Sequence, residues 1–266
     1  KPLKQMREAA NRVSKGDYSV RVLIHSEDEI GQLAAAFNHM ASSIQQEDER
    51  RKEFLANISH ELRTPISYVK GYSEALVNGM AKSKADQEKQ LLIISRESKR
   101  MDRLVGDLLD LSRMEADEYK MEKHPLPFAQ LVEDSTQKYL FTMKDKGLEL
   151  SFDMDPDIII LGDEGRIEQV IQNIMDNAIR YLEKGGISIT LKKHKEGCNL
   201  SIEDTGTGIP KEDLAHITER FYRVNKARTR SNGGTGLGLA ISKKIINLHG
   251  GTLKIDSEWG KGTKVE

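Results

Sequence analysis

Residues 54–66, Phe-Leu-Ala-Asn-Ile-Ser-His-Glu-Leu-Arg-Thr-Pro-Ile, place a histidine and a glutamate side by side on an amphipathic helix. At roughly 100° per residue, Leu55, Ile58 and Leu62 gather into one apolar stripe. His60 falls almost opposite that stripe, and Thr64 lies one turn further along the same outward face. A core histidine sits in the stripe; this one is presented to solvent or to a partner. Pro65 has no N–H to give the carbonyl of Glu61, so the helix is expected to kink just past the histidine. A lone His-Glu pair is more often a solvated face than a site, and the rest of the chain has to decide between them.

Working outward, the charged stretch Gln45–Lys52 carries helix periodicity into the His60 helix, which is expected to run to about Asn78-Gly79. After a polar turn through Lys84, a second long helix spans about Ala85–Glu115, with Leu92, Ser95, Met101, Leu104, Leu108 and Leu111 near its apolar face. Two antiparallel helices of this length are half of a four-helix bundle, which dimerisation completes. Upstream, Leu3, Met6, Ala10 and Val13 repeat at coiled-coil spacing up to Gly16-Asp17. An extended connector, Tyr18–Ile24, then leads to Asp28-Glu29-Ile30-Gly31 and a second heptad run through Ile30, Leu33, Phe37, Met40 and Ile44. Two such short helices cannot bury a core alone and need a second copy.

Pro125 and Pro127 mark the next boundary, after which helices and strands mix. Val132–Lys146, Glu164–Leu182 and Leu237–Leu248 read as helices. Leu148–Asp153, Ile158–Leu161, Ile187–Lys192, Asn199–Glu203, Thr252–Asp256 and Thr263 onward read as strands, with a hairpin around Glu196-Gly197. Hairpins within this mixture, in place of strict βαβ alternation, indicate an α/β sandwich with a mixed sheet.

Composition narrows the function classes. The chain has 266 residues and a formal net charge of -1, so nothing global points to nucleic acid or to an anionic membrane surface. The single Cys198 excludes a disulfide framework and a cysteine metal site, and fits a reducing compartment. The seven histidines show no HxxxH or HExxH spacing, which argues against zinc. No run of about 20 apolar residues spans a bilayer. The chain begins in a helical pattern at Lys1-Pro2-Leu3 and ends at Lys264-Val265-Glu266 inside a strand, so both ends are expected to be cut from something longer.

Three segments of the second half carry chemistry. On the helix Glu164–Leu182, Ile167, Val170, Ile171, Ile174 and Ala178 form the buried face. Asn173, Asn177 and Arg180 make a polar stripe a quarter-turn away at spacing i, i+4, i+7. Amide oxygens suit Mg²⁺ and a guanidinium suits phosphate, although a solvated flank explains the same stripe. Asp204-Thr205-Gly206-Thr207-Gly208 follows a strand, its glycines allowing close backbone approach and its acid able to accept from an exocyclic amine. Ordinary turns share that pattern. Gly233-Gly234-Thr235-Gly236-Leu237-Gly238-Leu239 opens a helix, where backbone N–H groups cradle phosphate. Its spacing is neither that of a P-loop nor of a dinucleotide fold. Before it lies Lys226-Ala227-Arg228-Thr229-Arg230-Ser231, a basic stretch suited to a lid.

The order of these elements is what discriminates. An Asn-x-x-x-Asn helix, Asp-x-Gly-x-Gly, Glu219-Arg220-Phe221-Tyr222-Arg223 and Gly-Thr-Gly-Leu-Gly-Leu all stand behind Ser-His-Glu-Leu-Arg-Thr-Pro. So arranged, the chain resembles a bacterial transmembrane sensor histidine kinase of a two-component system over essentially its whole length. The resemblance implies a parallel coiled-coil HAMP signal-relay module at 1–48 and a dimerisation and histidine phosphotransfer hairpin at 49–120. It implies an ATP-binding domain at 121–266, of the α/β sandwich type shared with gyrase, Hsp90 and MutL. The fold class is therefore α plus α/β. By resemblance His60 is the phosphoacceptor, Glu61 takes or orients its proton, and Thr64 serves in dephosphorylation of the partner. Asn173 and Asn177 belong to the nucleotide site, Asn177 being the ligand to Mg²⁺. Arg180 faces phosphate, Tyr181 packs near the nucleoside, and Asp204 accepts from the adenine amino group with Gly206 and Gly208 beside it. Arg223 and Lys226 face the γ-phosphate. Gly234, Thr235, Gly236, Leu237 and Gly238 follow the phosphate chain. The implied cofactors are ATP and Mg²⁺. The implied partners are a second copy, a response regulator receiver domain, no nucleic acid, and a membrane anchor outside this sequence, leaving this part cytoplasmic.

Thr218 and Leu182 depart from the family pattern without removing a chemical group. Two rivals stand beside this reading. A clamp ATPase of the same fold explains the nucleotide motifs but not His60-Glu61. A coiled-coil scaffold without activity explains residues 1–120 and leaves the nucleotide motifs idle.

Overall fold

The computed structural model describes residues 2–23, 28–115, 119–195, 197–224 and 234–266. Expectations placed on Ile24, Glu196, Lys226–Ser231 and Gly233 lie outside them. The chain divides into two compact units, 1–66 and 67–266.

In the first unit, α1 (Pro2–Val13) is followed by an extended connector and by α2 (Glu29–Val77). The side chain of Asp28 accepts from the N–H groups of Ile30 and Gly31 at 3.1 and 3.0 Å, which is the local reason Asp-Glu-Ile-Gly starts a helix. Ala9, Val20, Val22 and Ala34 are buried together, with Met6, Val13 and Phe37 packed against them. The connector is zipped onto α2 by one residue: Val22 N–H donates to Asn38 Oδ1 at 2.7 Å, and Asn38 Nδ2 donates back to Val22 O at 2.9 Å. Ala9, Ala34 and Ala41 fill the interior here, while the heptad residues Leu3, Leu33 and Met40 stay exposed. α2 remains helical through Pro65, which is buried.

The second unit contains the hairpin turn and α3 (Lys84–Glu115). Ser83 caps α3 by accepting from Asp86 N–H at 3.1 Å, and Asp86 reaches back to Lys82 N–H at 3.1 Å. Leu104, Leu111 and Met114 are buried, whereas Leu92 and Ser95, expected on the apolar face, are exposed.

The remaining elements are β1 (His124–Pro127), α4 (Phe128–Asp145), β2 (Glu149–Met154), β3 (Ile159–Gly162), α5 (Glu164–Tyr181), β4 (Gly186–His194), β5 (Gly197–Asp204), α6 (Gly238–Leu248), β6 (Ile255–Glu258) and β7 (Gly262–Val265). The main sheet has five strands in the order β2-β4-β5-β7-β6. β2 pairs with β4 in parallel and the other neighbours are antiparallel, so the sheet is mixed. Ile187, Ile189 and Leu191 of β4 turn into the core at every second position, and Ile202 of β5 joins them. Against them lies a helical layer in which α5 touches both α4 and α6. Its buried face adds Met175 and Ile179 to the five apolar residues expected. Asp163 caps α5 by accepting from Arg166 N–H at 3.2 Å.

Three differences from the sequence reading exceed two residues. β1, where two prolines suggested only a boundary, pairs antiparallel with β3 in a separate ribbon. Proline is tolerated there because a two-stranded ribbon consists only of edges. α4 starts at Phe128, whose N–H donates to Ile158 O at 2.8 Å. β6 begins at Ile255, after Lys254 and Glu266 have exchanged backbone hydrogen bonds of 2.8 and 2.9 Å.

Candidate nucleotide site

Asn173, Asn177 and Arg180 face a cavity of about 370 Å³, a usual size for a small-molecule site, in the second unit. Asp204, Arg223 and Thr235 line it as well. Its walls are aliphatic at Ile174, Ile202, Ile209, Ile255 and Val265.

Asp204 is placed by the end of β5. Burial pushes its carboxyl above the usual carboxylate range, against the opposing hydrogen bonds from the N–H groups of Gly206 and Thr263. The Gly206 bond is 2.8 Å long. A half-buried acid among aliphatic side chains is suited to a flat, mostly apolar ring that offers one N–H donor. Gly206 lies beneath the acid, and a Cβ there would meet the Tyr181 carbonyl oxygen at 2.7 Å. Gly208 and Tyr181 line the cavity.

The polar end is built by α5 and the turn into α6. Asn173 Nδ2 donates to Gly238 O at 3.1 Å and to Ser242 Oγ at 3.3 Å, pinning the start of α6 to α5. Arg180 Nη1 approaches Asn177 Oδ1 at 3.5 Å. A Cβ at Gly234 would meet Arg180 Nη1 at 2.6 Å, so the guanidinium lies directly on the glycine-rich turn. Gly236 takes φ +73°, and its carbonyl accepts from Phe221 N–H at 2.9 Å. Leu237 is fully buried, so only its backbone serves the turn. Thr235 Oγ1 accepts from Leu237 N–H at 3.3 Å.

Two features were not legible in the motifs. Phe221, inside Glu-Arg-Phe-Tyr-Arg, is buried in the left-handed region at φ 62° and anchors the turn through Gly236. A bulky residue there is uncommon and marks a constrained loop. Arg103 and Asp107, from α3, also line the cavity. They stand one turn apart on a charged helix, and no local pattern distinguishes them from solvated neighbours.

The residues fit a nucleoside triphosphate: an aliphatic slot with an acid at one end, and amides, arginines and a glycine-rich helix start at the other. Among the described residues no cluster of three or more His, Cys, Asp or Glu side chains could hold a metal ion. The Asn177 amide oxygen is a hard donor of the type Mg²⁺ takes alongside phosphate oxygens. In the first unit His60 is exposed, while Glu61 and Thr64 are half-buried.

Known families match all three parts of the chain. Residues 162–266 match the histidine kinase-, DNA gyrase B- and HSP90-like ATPase family, and 50–117 the His Kinase A (phospho-acceptor) domain. Residues 1–46 match the HAMP domain. The sensor protein SrrB of Staphylococcus aureus is 31% identical over an alignment covering 99% of this chain and 64% of that protein. The chain thus spans 64% of the length of that curated relative. The Acinetobacter baumannii histidine kinase AdeS is 29% identical, with a TM-score of 0.62 over 77% of this chain and 95% of that one. Histidine kinase ThkA in complex with the response regulator protein TrrA shares the fold, with a TM-score of 0.66 at 22% identity, over 84% of this chain and 64% of that one. Among the described residues no helix is long and apolar enough to cross a membrane. The chain belongs to the sensor histidine kinases and carries, in order, their HAMP, phosphoacceptor and ATPase modules.

Proposed function

We propose that this chain autophosphorylates His60 from ATP bound in the Asn173–Asp204 cavity and passes the phosphoryl group to an aspartate of a response regulator receiver domain. The observation that carries this is the cavity itself, which places Asp204 on an aliphatic slot and Arg180 on the glycine-rich turn. Asp204 accepts from the adenine amino group, with Gly206, Gly208 and Tyr181 beside the nucleoside. Arg180, Arg223 and Lys226 neutralise phosphate charge, and the backbone from Gly234 to Gly238, with the Thr235 hydroxyl, follows the phosphate chain. Asn177 is the ligand to Mg²⁺, which when bound supplies charge neutralisation to the phosphate oxygens. A neutral His60 nitrogen attacks the γ-phosphorus in line. The N–P bond forms as the bond to the bridging oxygen breaks, ADP leaves, and Glu61 takes the proton from the other ring nitrogen.

The modules are assigned to residues 1–48, 49–120 and 121–266. A second copy covers the apolar residues that one chain leaves exposed, among them Leu33, Met40, Leu91, Leu92 and Leu109. The HAMP module leads from a membrane anchor outside this sequence, which places the described part in the cytoplasm. Thr64 orients water when the regulator is dephosphorylated.

Incubation with γ-labelled ATP and Mg²⁺ tests the reading. Acid-labile, base-stable label that disappears in His60→Gln is expected. Acid-stable label, or none, overturns it.

A further inference from the structure

Asp107 of α3 is the one carboxylate that reaches the glycine-rich turn among the described hydrogen bonds. Its Oδ2 accepts from Thr235 Oγ1 at 2.8 Å. A hydroxyl has a single proton to donate. While Thr235 gives it to Asp107, and accepts from Leu237 N–H, it has none to offer a phosphate oxygen. The acid therefore occupies, with its own negative charge, a donor at the polar end of the cavity. Burial raises the Asp107 carboxyl above its usual range, so the site tolerates its charge reluctantly even without a nearby phosphate.

The contact does not stand alone. α3 packs on α6. From the same end of α3, Asp110 Oδ2 meets Arg166 Nη1 at 2.9 Å and accepts from Gln169 Nε2 at 3.0 Å, and Glu115 pairs with Arg220. Three acids of one helix thus grip three places on the ATPase module: the glycine-rich turn, the start of α5, and the Glu-Arg-Phe-Tyr-Arg loop. Two grips lie outside the cavity; Asp107 alone lies on its wall.

We propose that Asp107 is a nucleotide-sensitive latch: its carboxylate stands in for phosphate at Thr235, and an arriving phosphate chain displaces it and loosens α3 from the ATPase module. The proposal rests on the cavity being a nucleoside triphosphate site. Two anions compete for one hydroxyl in a half-buried space, so closing the latch and binding phosphate oppose each other, and the opposition is reciprocal. A nucleoside without phosphates leaves Thr235 with Asp107.

The whole chain is titrated with Mg·ATP and, separately, with adenosine, while hydrogen exchange is followed at the amides of residues 103–115. ATP is expected to lower protection there in the wild type, and adenosine to leave it unchanged. Asp107→Asn keeps the size of the side chain and removes the charge. It should bind ATP about three- to tenfold tighter, a gain of ~0.7–1.4 kcal/mol, with adenosine affinity unaltered. Asp107→Ala, which removes the hydrogen bond as well, should do the same. If ATP binds the wild type and both variants equally, or adenosine releases α3 as ATP does, the latch is wrong and the nucleotide site stands. If the wild type binds neither ligand, the nucleotide reading fails and the latch fails with it.

Discussion

The side-chain amide of Asn173 donates to the carbonyl oxygen of Gly238 at 3.1 Å, joining the middle of α5 to the first residue of α6. The same nitrogen reaches Ser242 Oγ at 3.3 Å. One residue thereby holds the glycine-rich turn against the helix that bears Asn177 and Arg180. A residue assigned to nucleotide contact by resemblance has a structural task in the protein alone.

Asn173→Asp exchanges that donor for an acceptor aimed at a carbonyl oxygen. It should destabilise the second unit by about 1–3 kcal/mol, the cost of an unmet buried polar group. It should also weaken ATP binding. Ser242→Ala, which removes one of the two acceptors, should cost less. Urea unfolding compares both with the wild type, and an Asn173→Asp midpoint equal to the wild type's would show that Asn173 contributes nothing to the fold.

Burial disfavours the charged form of the Asp204 carboxyl. Because burial raises its carboxyl in the folded protein, the stability linked to protonation is fully present below the ordinary carboxylate range and lost as pH rises through the raised value. At neutral pH the nucleotide-free protein bears that cost. Asp204→Asn should therefore raise the thermal midpoint at pH 7 while removing ATP binding, and the stability difference should shrink on acidification. A lower midpoint at pH 7 would contradict the assignment of the cost to burial.

Gly236 combines φ +73° with a close neighbour, since a Cβ there would meet Phe221 Cα at 3.0 Å. Gly236→Ala is expected to cost about 1–2 kcal/mol from the left-handed backbone alone. It should weaken ATP more than adenosine, because the turn serves the phosphate end. Equal loss for both ligands would place Gly236 elsewhere in the site.

Pro65 lies buried within α2 and has no N–H of its own to give to the helix. Pro65→Ala supplies an N–H just past His60. If the weak point is a switch, the ratio of phosphoryl loading to unloading of the regulator should change at least about threefold, ~0.7 kcal/mol. Measuring both rates with labelled protein decides the matter, and an unchanged ratio would falsify the switch.

The α5 stripe was legible in the chain because its information is local. Asn173, Asn177 and Arg180 recur at helical spacing beside a complete apolar face, and both patterns reappear in the structure. Asp28, ahead of the second heptad run, likewise marks a helix start where its side chain caps the chain. β1 was hidden because its prolines argue against a strand until a partner leaves them on an edge. Leu33 and Met40 hold apolar positions that one chain does not cover, because small residues such as Ala34 and Ala41 fill the interior of the first unit, and Leu92 of α3 is likewise exposed.

What the sequence by itself determined is everything governed by periodicity and short spacing: the helices, the mixed sheet, the exposed face of His60 and the motif order that names the family. Only the tertiary structure decided who shares a cavity. Arg103 and Asp107 are ordinary charged residues of α3, distant in the chain from Thr235. They reach the site because α3 packs on α6. Contacts between distant elements leave no periodic trace, and a single hydrogen bond such as Asp107 to Thr235 exists only once packing has brought its two ends together.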